Sequence, residues 1–179
     1  MMDFVDEKNE KVSNISVFYR LIFLIGSRFP EAIRNFDVFL NCLEEINSTK
    51  QLIILLPLSL NADILKVEGS LINNGFSRQD KISFLIDEDS VWKKEEKYIL
   101  LGKCSFDKWA SMANVGLANA GTATEQIAGL GVPSLSLPGD GPQFTKSFAH
   151  RQSRLLGGSV LVCNNKKDLL FNLDLFINN

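Results

Sequence analysis

Three short segments of the sequence combine residue types that bind phosphate groups and sugar hydroxyls. The first is Gly26-Ser27-Arg28, which follows an apolar run and precedes a helix that can begin at Pro30. Glycine permits close backbone approach, a helix start presents unpaired N–H groups, and arginine adds a fork of donors suited to phosphate. The alternative interpretation is a tight turn that carries a solvated arginine.

The second segment is Asn119-Ala120-Gly121-Thr122-Ala123-Thr124-Glu125-Gln126, where small residues crowd a helix N-terminus. Its threonine hydroxyls can cap the helix or reach an anion, and the polar residues one turn in can meet sugar hydroxyls. The alternative is a capping box, with Thr122 as the N-cap and Glu125 three residues later. Because no lysine of the Walker type follows Gly121 and no GxGxxG motif occurs, a P-loop NTPase or a dinucleotide enzyme has no support.

The third segment is Pro138-Gly139-Asp140-Gly141-Pro142-Gln143-Phe144, a stiff loop that presents an acid and an amide between glycines and prolines. An ordinary connection is the alternative. The single histidine, His150, follows in a helix beside Arg151 and Arg154. A surface or packing role is expected for it, since no serine or cysteine pairs with it in a recognised hydrolase motif.

Apolar runs and helical spacing alternate along the chain, and this order predicts how the three segments are positioned. The run at 19–25 is typical of a strand buried on both faces, and helical spacing extends from 32 to 46. Further strands are predicted at 51–56, 82–86, 98–101, 115–118, 133–137 and 159–162, and further helices at 62–71, 106–112, 124–130, 144–156 and 167–177.

This alternation predicts an α/β fold with a doubly wound, mainly parallel Rossmann-like sheet. The stretch 87–96 shows no assignable pattern. Ligands of such sheets bind at the carboxyl ends of the strands, near the change in strand order. Since each of the three segments follows a predicted strand, we expect them to meet at one edge of the sheet.

Composition limits the classes of partner. Of 179 residues, 45% are hydrophobic and 22% charged, with a formal net charge of −2. This excludes a disordered chain, and the lack of a basic stripe argues against nucleic acid. Cys42, Cys104 and Cys163 fit neither a disulfide framework nor a zinc site. With no signal peptide and no apolar stretch of spanning length, we expect a cytoplasmic protein without metal or cofactor.

Three stretches together, GSRFPEAIRN, GLANAGTATEQIAGLGVP and PGDGPQFTKSFAHRQSRLLGGSV, resemble a known family. They are similar to the C-terminal domain of lipid-A-disaccharide-synthase-related proteins, in the GT-B glycosyltransferase and UDP-sugar epimerase superfamily. The resemblance extends from about residue 1 to about residue 167. It implies that residues 19–179 form a Rossmann-like nucleotide-sugar-binding domain, the C-terminal half of a GT-B fold. Residues 1–18 would then be a leader or interdomain remnant.

By this resemblance, Gly26-Ser27-Arg28 and the backbone of Gly121-Thr122-Ala123 would hold the diphosphate of a UDP-sugar donor. Phe106 would lie near the uracil base, and Gln143 would read the donor sugar. The glutamate that holds the ribose hydroxyls in relatives falls on Gln126. The expected substrate-binding residues, none assigned to catalysis, are Gly26, Ser27, Arg28, Phe106, Gly121, Thr122, Ala123, Thr124, Glu125, Gln126 and Gln143.

The resemblance implies the donor-binding half of an inverting glycosyltransferase of the hexosyltransferase type. That half would be inactive alone, because the acceptor site would lie on a missing N-terminal domain, through which the protein could touch a membrane. One alternative is a UDP-sugar 2-epimerase-like domain, for which the sequence offers no recognisable acid and base. The other is a non-catalytic nucleotide-sugar-binding or assembly module that pairs with a separate acceptor chain.

Overall fold

The structure, a computed structural model, describes residues 11–12, 14–46, 48–139, 141–142 and 144–178. The strands within these ranges are Lys11–Val12 (β1), Tyr19–Leu24 (β2), Leu52–Leu58 (β3), Ser77–Arg78 (β4), Ile82–Ser83 (β5), Ser90–Lys94 (β6), Lys97–Lys103 (β7), Val115–Ala118 (β8), Ser134–Ser136 (β9) and Val160–Val162 (β10). The helices are Glu31–Glu45 (α1), Ile64–Asn73 (α2), Phe106–Trp109 (α3), Thr122–Gly129 (α4), Lys146–Leu155 (α5) and Lys166–Asn178 (α6). None of these helices is long and apolar enough to cross a membrane.

One open sheet organises the molecule, with strand order β10-β9-β8-β2-β3-β7-β6-β4. All neighbours from β10 to β7 are parallel, while β6 and β4 add an antiparallel edge. The chain leaves β2 on one side through β3 and β7, then returns to its other side with β8. The doubly wound, mainly parallel α/β prediction is therefore confirmed, and β2 lies at the switch in strand order, where such folds bind ligands.

The central strands are mainly apolar because both faces of the sheet are covered, as parallel sheets require. On β2, Leu21 and Phe23 point into one hydrophobic cluster, which is completed by α1, α2 and α6. The alternate residues Ile22 and Leu24 point into the other cluster, around Trp109. Alternate side chains of β2 thus pack against helices on opposite faces of the sheet. This packing holds β2 in the centre of the molecule.

The segment between α2 and β7 departs from the prediction. The strand expected at 82–86 is only Ile82–Ser83, and it pairs with β1 outside the main sheet. The carboxylate of Glu88 accepts hydrogen bonds from the backbone N–H groups of Phe84 and Ile86, and these bonds hold the chain in a turn. Leu85 there has a positive φ of 56°, which a strand cannot contain.

The same segment contains a strand that the sequence pattern did not predict. Residues 90–94, within the unassigned stretch, form β6, which pairs antiparallel with β7. Its lysines at 93 and 94 hid the pattern, since only Val91 and Trp92 of this strand are buried. The helix expected at 106–112 is also divided, because α3 gives way to a 3-10 turn at Ala110–Met112.

Candidate functional site

The segments after β2, β8 and β9 meet at one edge of the sheet, because these strands are parallel neighbours. Gly26 and Gly121 both line a cleft of about 610 Å³ at the carboxyl ends of the strands. The ends of β3 and β7 close it on the other side through Leu58 and Cys104. The loops therefore lie together at one edge of the sheet, as we expected from the order of the strands.

The loop after β2 requires glycine at its first position. Gly26 has a φ of +89°, in the left-handed region that side chains disfavour, and an added Cβ would lie 3.3 Å from the carbonyl oxygen of Asn119. Ser27 and Arg28 follow as exposed residues that line the cleft. Within the described residues the Arg28 guanidinium has no ion pair or hydrogen bond, so its charge is available to a ligand. The N–H of Ala32, in contrast, donates to the Arg28 carbonyl at 2.9 Å, so this N–H is not available to a ligand.

The start of α4 presents a row of unpaired backbone donors. Its N-cap is Gly121, with no side-chain capping bond, and Thr122 is the first helical residue. The alternative of a capping box at Thr122 and Glu125 is therefore not formed. The N–H groups of Gly121, Thr122 and Ala123 find no acceptor in the described chain, whereas that of Thr124 donates to the Gly121 carbonyl at 3.0 Å. Unpaired N–H groups at a helix start form a natural anion site.

A buried asparagine pair ties the three loops together. Asn119 is 3% exposed, and its side chain bonds both backbone groups of Leu137, donating to the carbonyl at 2.7 Å and accepting from the N–H at 3.1 Å. Its Nδ2 also lies 3.3 Å from Oδ1 of Asn35 in α1, whose own Nδ2 donates to the Ile25 carbonyl at 2.9 Å. The loops after β2, β8 and β9 are thus one hydrogen-bonded unit.

The structure brings together most of the residues expected at the site. Thr124 does not line the cleft: it is fully buried, and its hydroxyl donates to the Ala120 carbonyl at 2.7 Å. Glu125 is exposed outside the lining, and Gln143 lies outside the described residues. The expected residues that do line the cleft are Gly26, Ser27, Arg28, Phe106, Gly121, Thr122, Ala123 and Gln126.

Sequence reasoning missed several lining residues on the α5 side. Phe144 and Phe148 form an edge-on aromatic pair with ring centroids 5.5 Å apart, and both face the cleft. Glu31 also lines it, and its carboxylate accepts a hydrogen bond of 3.2 Å from the Phe144 N–H. An added Cβ on Gly141 would lie 2.4 Å from this carboxylate. The position of Glu31 at the first turn of the predicted helix was the one signal that could have marked it.

The charges of the lining are few and of both signs. Arg28 is the cation and Glu31 the carboxylate among the described lining residues. The Glu31 carboxylate is engaged by the Phe144 loop, while Arg28 and the N–H groups of α4 remain open. The arrangement is equipped to bind an anion between α4 and the loop after β2, with apolar surface from Phe106 and Phe148 beside it.

Comparisons with known proteins place the fold. No protein-family model matches the sequence, and no curated protein matches it either. The similar solved structures include a Listeria monocytogenes protein assigned as a UDP-N-acetylglucosamine 2-epimerase, and S. aureus MnaA in a co-structure with UDP. Each has a TM-score of 0.51 and 16% identity, over 100% of this chain and 40% of its own length.

The likeness confirms the expected fold class, an α/β fold with a mainly parallel Rossmann-like sheet that matches the C-terminal half of a GT-B fold. The relation to lipid-A-disaccharide synthase stays a prediction. The chain spans 40% of the length of either similar structure, so the fold likeness does not carry the activity of the whole protein over to this chain.

Proposed function

We propose that this domain binds the nucleotide diphosphate of a UDP-sugar in the cleft. The observation that carries the proposal is that Arg28, without an ion pair among the described residues, shares this cleft with three unpaired N–H groups at the start of α4. Both features favour a phosphate group, the arginine by charge-assisted hydrogen bonds and the helix start by its donors and dipole. The solved co-structure of a protein with this fold contains UDP, which supports the choice of nucleotide.

Within this proposal the parts of the ligand have distinct neighbours. The diphosphate lies between Arg28 and the N–H groups of Gly121, Thr122 and Ala123. The base lies toward Phe106, at the ends of β3 and β7, and the ribose hydroxyls meet Gln126 in the first turns of α4. The donor sugar then points toward the loop before α5, where Glu31 and Phe148 line the cleft.

We propose further that residues 19–179 are the donor-binding half of a glycosyltransferase related to lipid-A-disaccharide synthase. Transfer would be a direct displacement at the anomeric carbon. Arg28 and the α4 N-terminus would stabilise the negative charge that develops on the departing diphosphate. One domain cannot hold donor and acceptor together, so the isolated chain is expected to show no sugar transfer.

A UDP-sugar 2-epimerase-like domain is the second candidate, and the assigned activity of the Listeria monocytogenes protein favours it. Inversion at C2 of the sugar needs groups that remove and return a proton. Glu31 is the one carboxylate in the described lining, and it is already bound to the Phe144 N–H. Incubating the chain with UDP-N-acetylglucosamine and following its 2-epimer by NMR separates the candidates, because only the epimerase hypothesis predicts that the 2-epimer forms.

The test of the binding proposal compares UDP with uridine in Arg28→Ala. We expect a dissociation constant for UDP of about 0.1–1 mM, or roughly −4 to −5.5 kcal/mol, because the cleft is open. An arginine–phosphate bond contributes about 1.5–3 kcal/mol, and we take the lower end because Arg28 is exposed. The variant should therefore bind UDP about tenfold more weakly and uridine unchanged. Titration followed by NMR measures both.

Arg34→Ala is the matched control, since Arg34 is an exposed arginine in the first turn of α1, the helix that follows the Arg28 loop, and it lies outside the cleft lining. It should leave both affinities unchanged. The proposal fails if UDP at several millimolar shifts no amide signal near Gly26 or Gly121. Equal losses for UDP and uridine in Arg28→Ala would mean instead that Arg28 supports the structure of the loop.

A further inference from the structure

A buried glutamine of α5 holds the loop that precedes α4. Gln152 is 3% exposed and lies behind the cleft, outside its lining. Its side-chain Nε2 donates to the Gly121 carbonyl at 3.0 Å and approaches the Ala120 carbonyl at 3.4 Å. One amide group on a neighbouring helix therefore contacts two successive carbonyls of the loop.

The direction of these carbonyls sets the direction of the donors. In a trans peptide unit the C=O and the following N–H point in opposite directions. When Gln152 holds the carbonyls of Ala120 and Gly121 on the α5 side, the N–H groups of Gly121 and Thr122 must point away from α5. Both residues line the cleft, and neither N–H has an acceptor in the described chain. The two donors are thereby kept facing the space that an anion would occupy.

The side-chain amide of Gln152 destabilises the folded chain through its oxygen. Its Oε1 is buried and, among the residues that the structure describes, lacks a hydrogen-bond partner. A buried polar atom without a partner is destabilising, and an apolar side chain of the same shape avoids that penalty. Packing of α5 alone would be served by such an apolar side chain. Thr124 also bonds these carbonyls, through its hydroxyl to Ala120 and through its N–H to Gly121. The amide of Gln152 adds an anchor from a different helix that holds both carbonyls on the α5 side.

We propose that Gln152 is a positioning residue that aims the N–H groups of Gly121 and Thr122 at the diphosphate. The inference rests on the proposed function, because it assigns a role to a residue that does not touch the ligand. It predicts a loss specific to phosphate. Base and ribose are held by other parts of the cleft and do not depend on the direction of these two N–H groups.

The experiment replaces Gln152 with methionine, which keeps the length of the side chain and removes its donors. UDP, uridine and inorganic pyrophosphate are titrated into the wild type and Gln152→Met, with the amide signals of Gly121 and Thr122 followed by NMR. We expect UDP and pyrophosphate to bind about tenfold more weakly in the variant, with uridine changed less than about twofold.

Ser153→Ala is the matched control on the same helix. Its hydroxyl donates to the Val160 carbonyl at 2.6 Å, on the β10 side and away from the loop. This variant loses a hydrogen bond of α5 but should bind UDP and pyrophosphate as the wild type does. Thermal melting checks the fold of each variant. If Gln152→Met does not fold, Gln152→Asn takes its place, because its amide is too short to reach both carbonyls.

The outcomes separate the inference from the proposed function. Unchanged UDP binding in Gln152→Met, or an equal loss for UDP and uridine, overturns the positioning role. If the wild type binds pyrophosphate at Gly121 and Thr122 but not UDP, and the variant loses that binding, the proposed function fails while the positioning role stands. If the wild type binds neither ligand, both fail.

Discussion

Replacing Asn119 with alanine tests whether the three loops of the cleft are one unit. The side chain of Asn119 bonds the carbonyl and the N–H of Leu137 at 2.7 and 3.1 Å and meets Asn35 at 3.3 Å. Truncation leaves both backbone groups of Leu137 without these partners. A buried unsatisfied polar group costs about 1–3 kcal/mol.

Leu137 is half-buried, so water can hydrate part of what the side chain leaves, and the lower part of that range applies. For two groups the free energy of unfolding should fall by about 2–4 kcal/mol. A domain of this size loses about 2–4 °C in Tm for each kcal/mol. The expected fall in Tm is therefore roughly 5–15 °C, measurable by circular dichroism, with urea unfolding as a second measure.

Ser136→Ala is the control for this prediction. The Ser136 hydroxyl is fully buried, but its bond to Asn119 Oδ1 is long, at 3.3 Å, so its removal should cost only about 1 kcal/mol. Asn119→Ala should also weaken UDP and uridine together, since all three loops loosen, in contrast to the phosphate-specific loss in Arg28→Ala. A cost for Asn119→Ala no larger than that of Ser136→Ala would refute the idea that Asn119 joins the loops.

Two further predictions concern backbone conformation and thiol chemistry. Gly26→Ala should lower the free energy of unfolding by about 1–2 kcal/mol, because its φ is +89°. Gly69→Ala in α2, where an added Cβ meets nothing within 4 Å, should instead raise it by about 0.5–1 kcal/mol. In a timed assay with a disulfide reagent at pH 8, exposed Cys104 should react first, and UDP should slow it because Cys104 lines the cleft. Cys42 and Cys163 should stay unreacted until the chain unfolds, because burial raises the pKa of these thiols to about 11 and about 12.

The fold class could be predicted because its signal is local. A strand buried on both faces, such as β2, is a continuous apolar run wherever it lies in the chain, and α1 shows its own helical spacing. The same reasoning failed at β6, where the half-buried Lys93 and Lys94 mask the two buried residues. Because β6 lies near the edge of the sheet, where only the two-residue strand β4 covers its outer side, its apolar pattern is weaker than those of the central strands.

The sequence by itself predicted that the loops after β2 and β8 lie at one edge of the sheet, since the residues after parallel strands share that edge. Only the tertiary structure decided which groups in those loops are free and which are engaged. Thr124 resembles a ligand residue but bonds its own turn, and Gln152 resembles a surface residue but bonds the Gly121 carbonyl from 31 positions away. Asn35 and Asn119 meet across 84 positions. Such contacts depend on how α1, α4 and α5 pack on the sheet, and no local pattern encodes that packing.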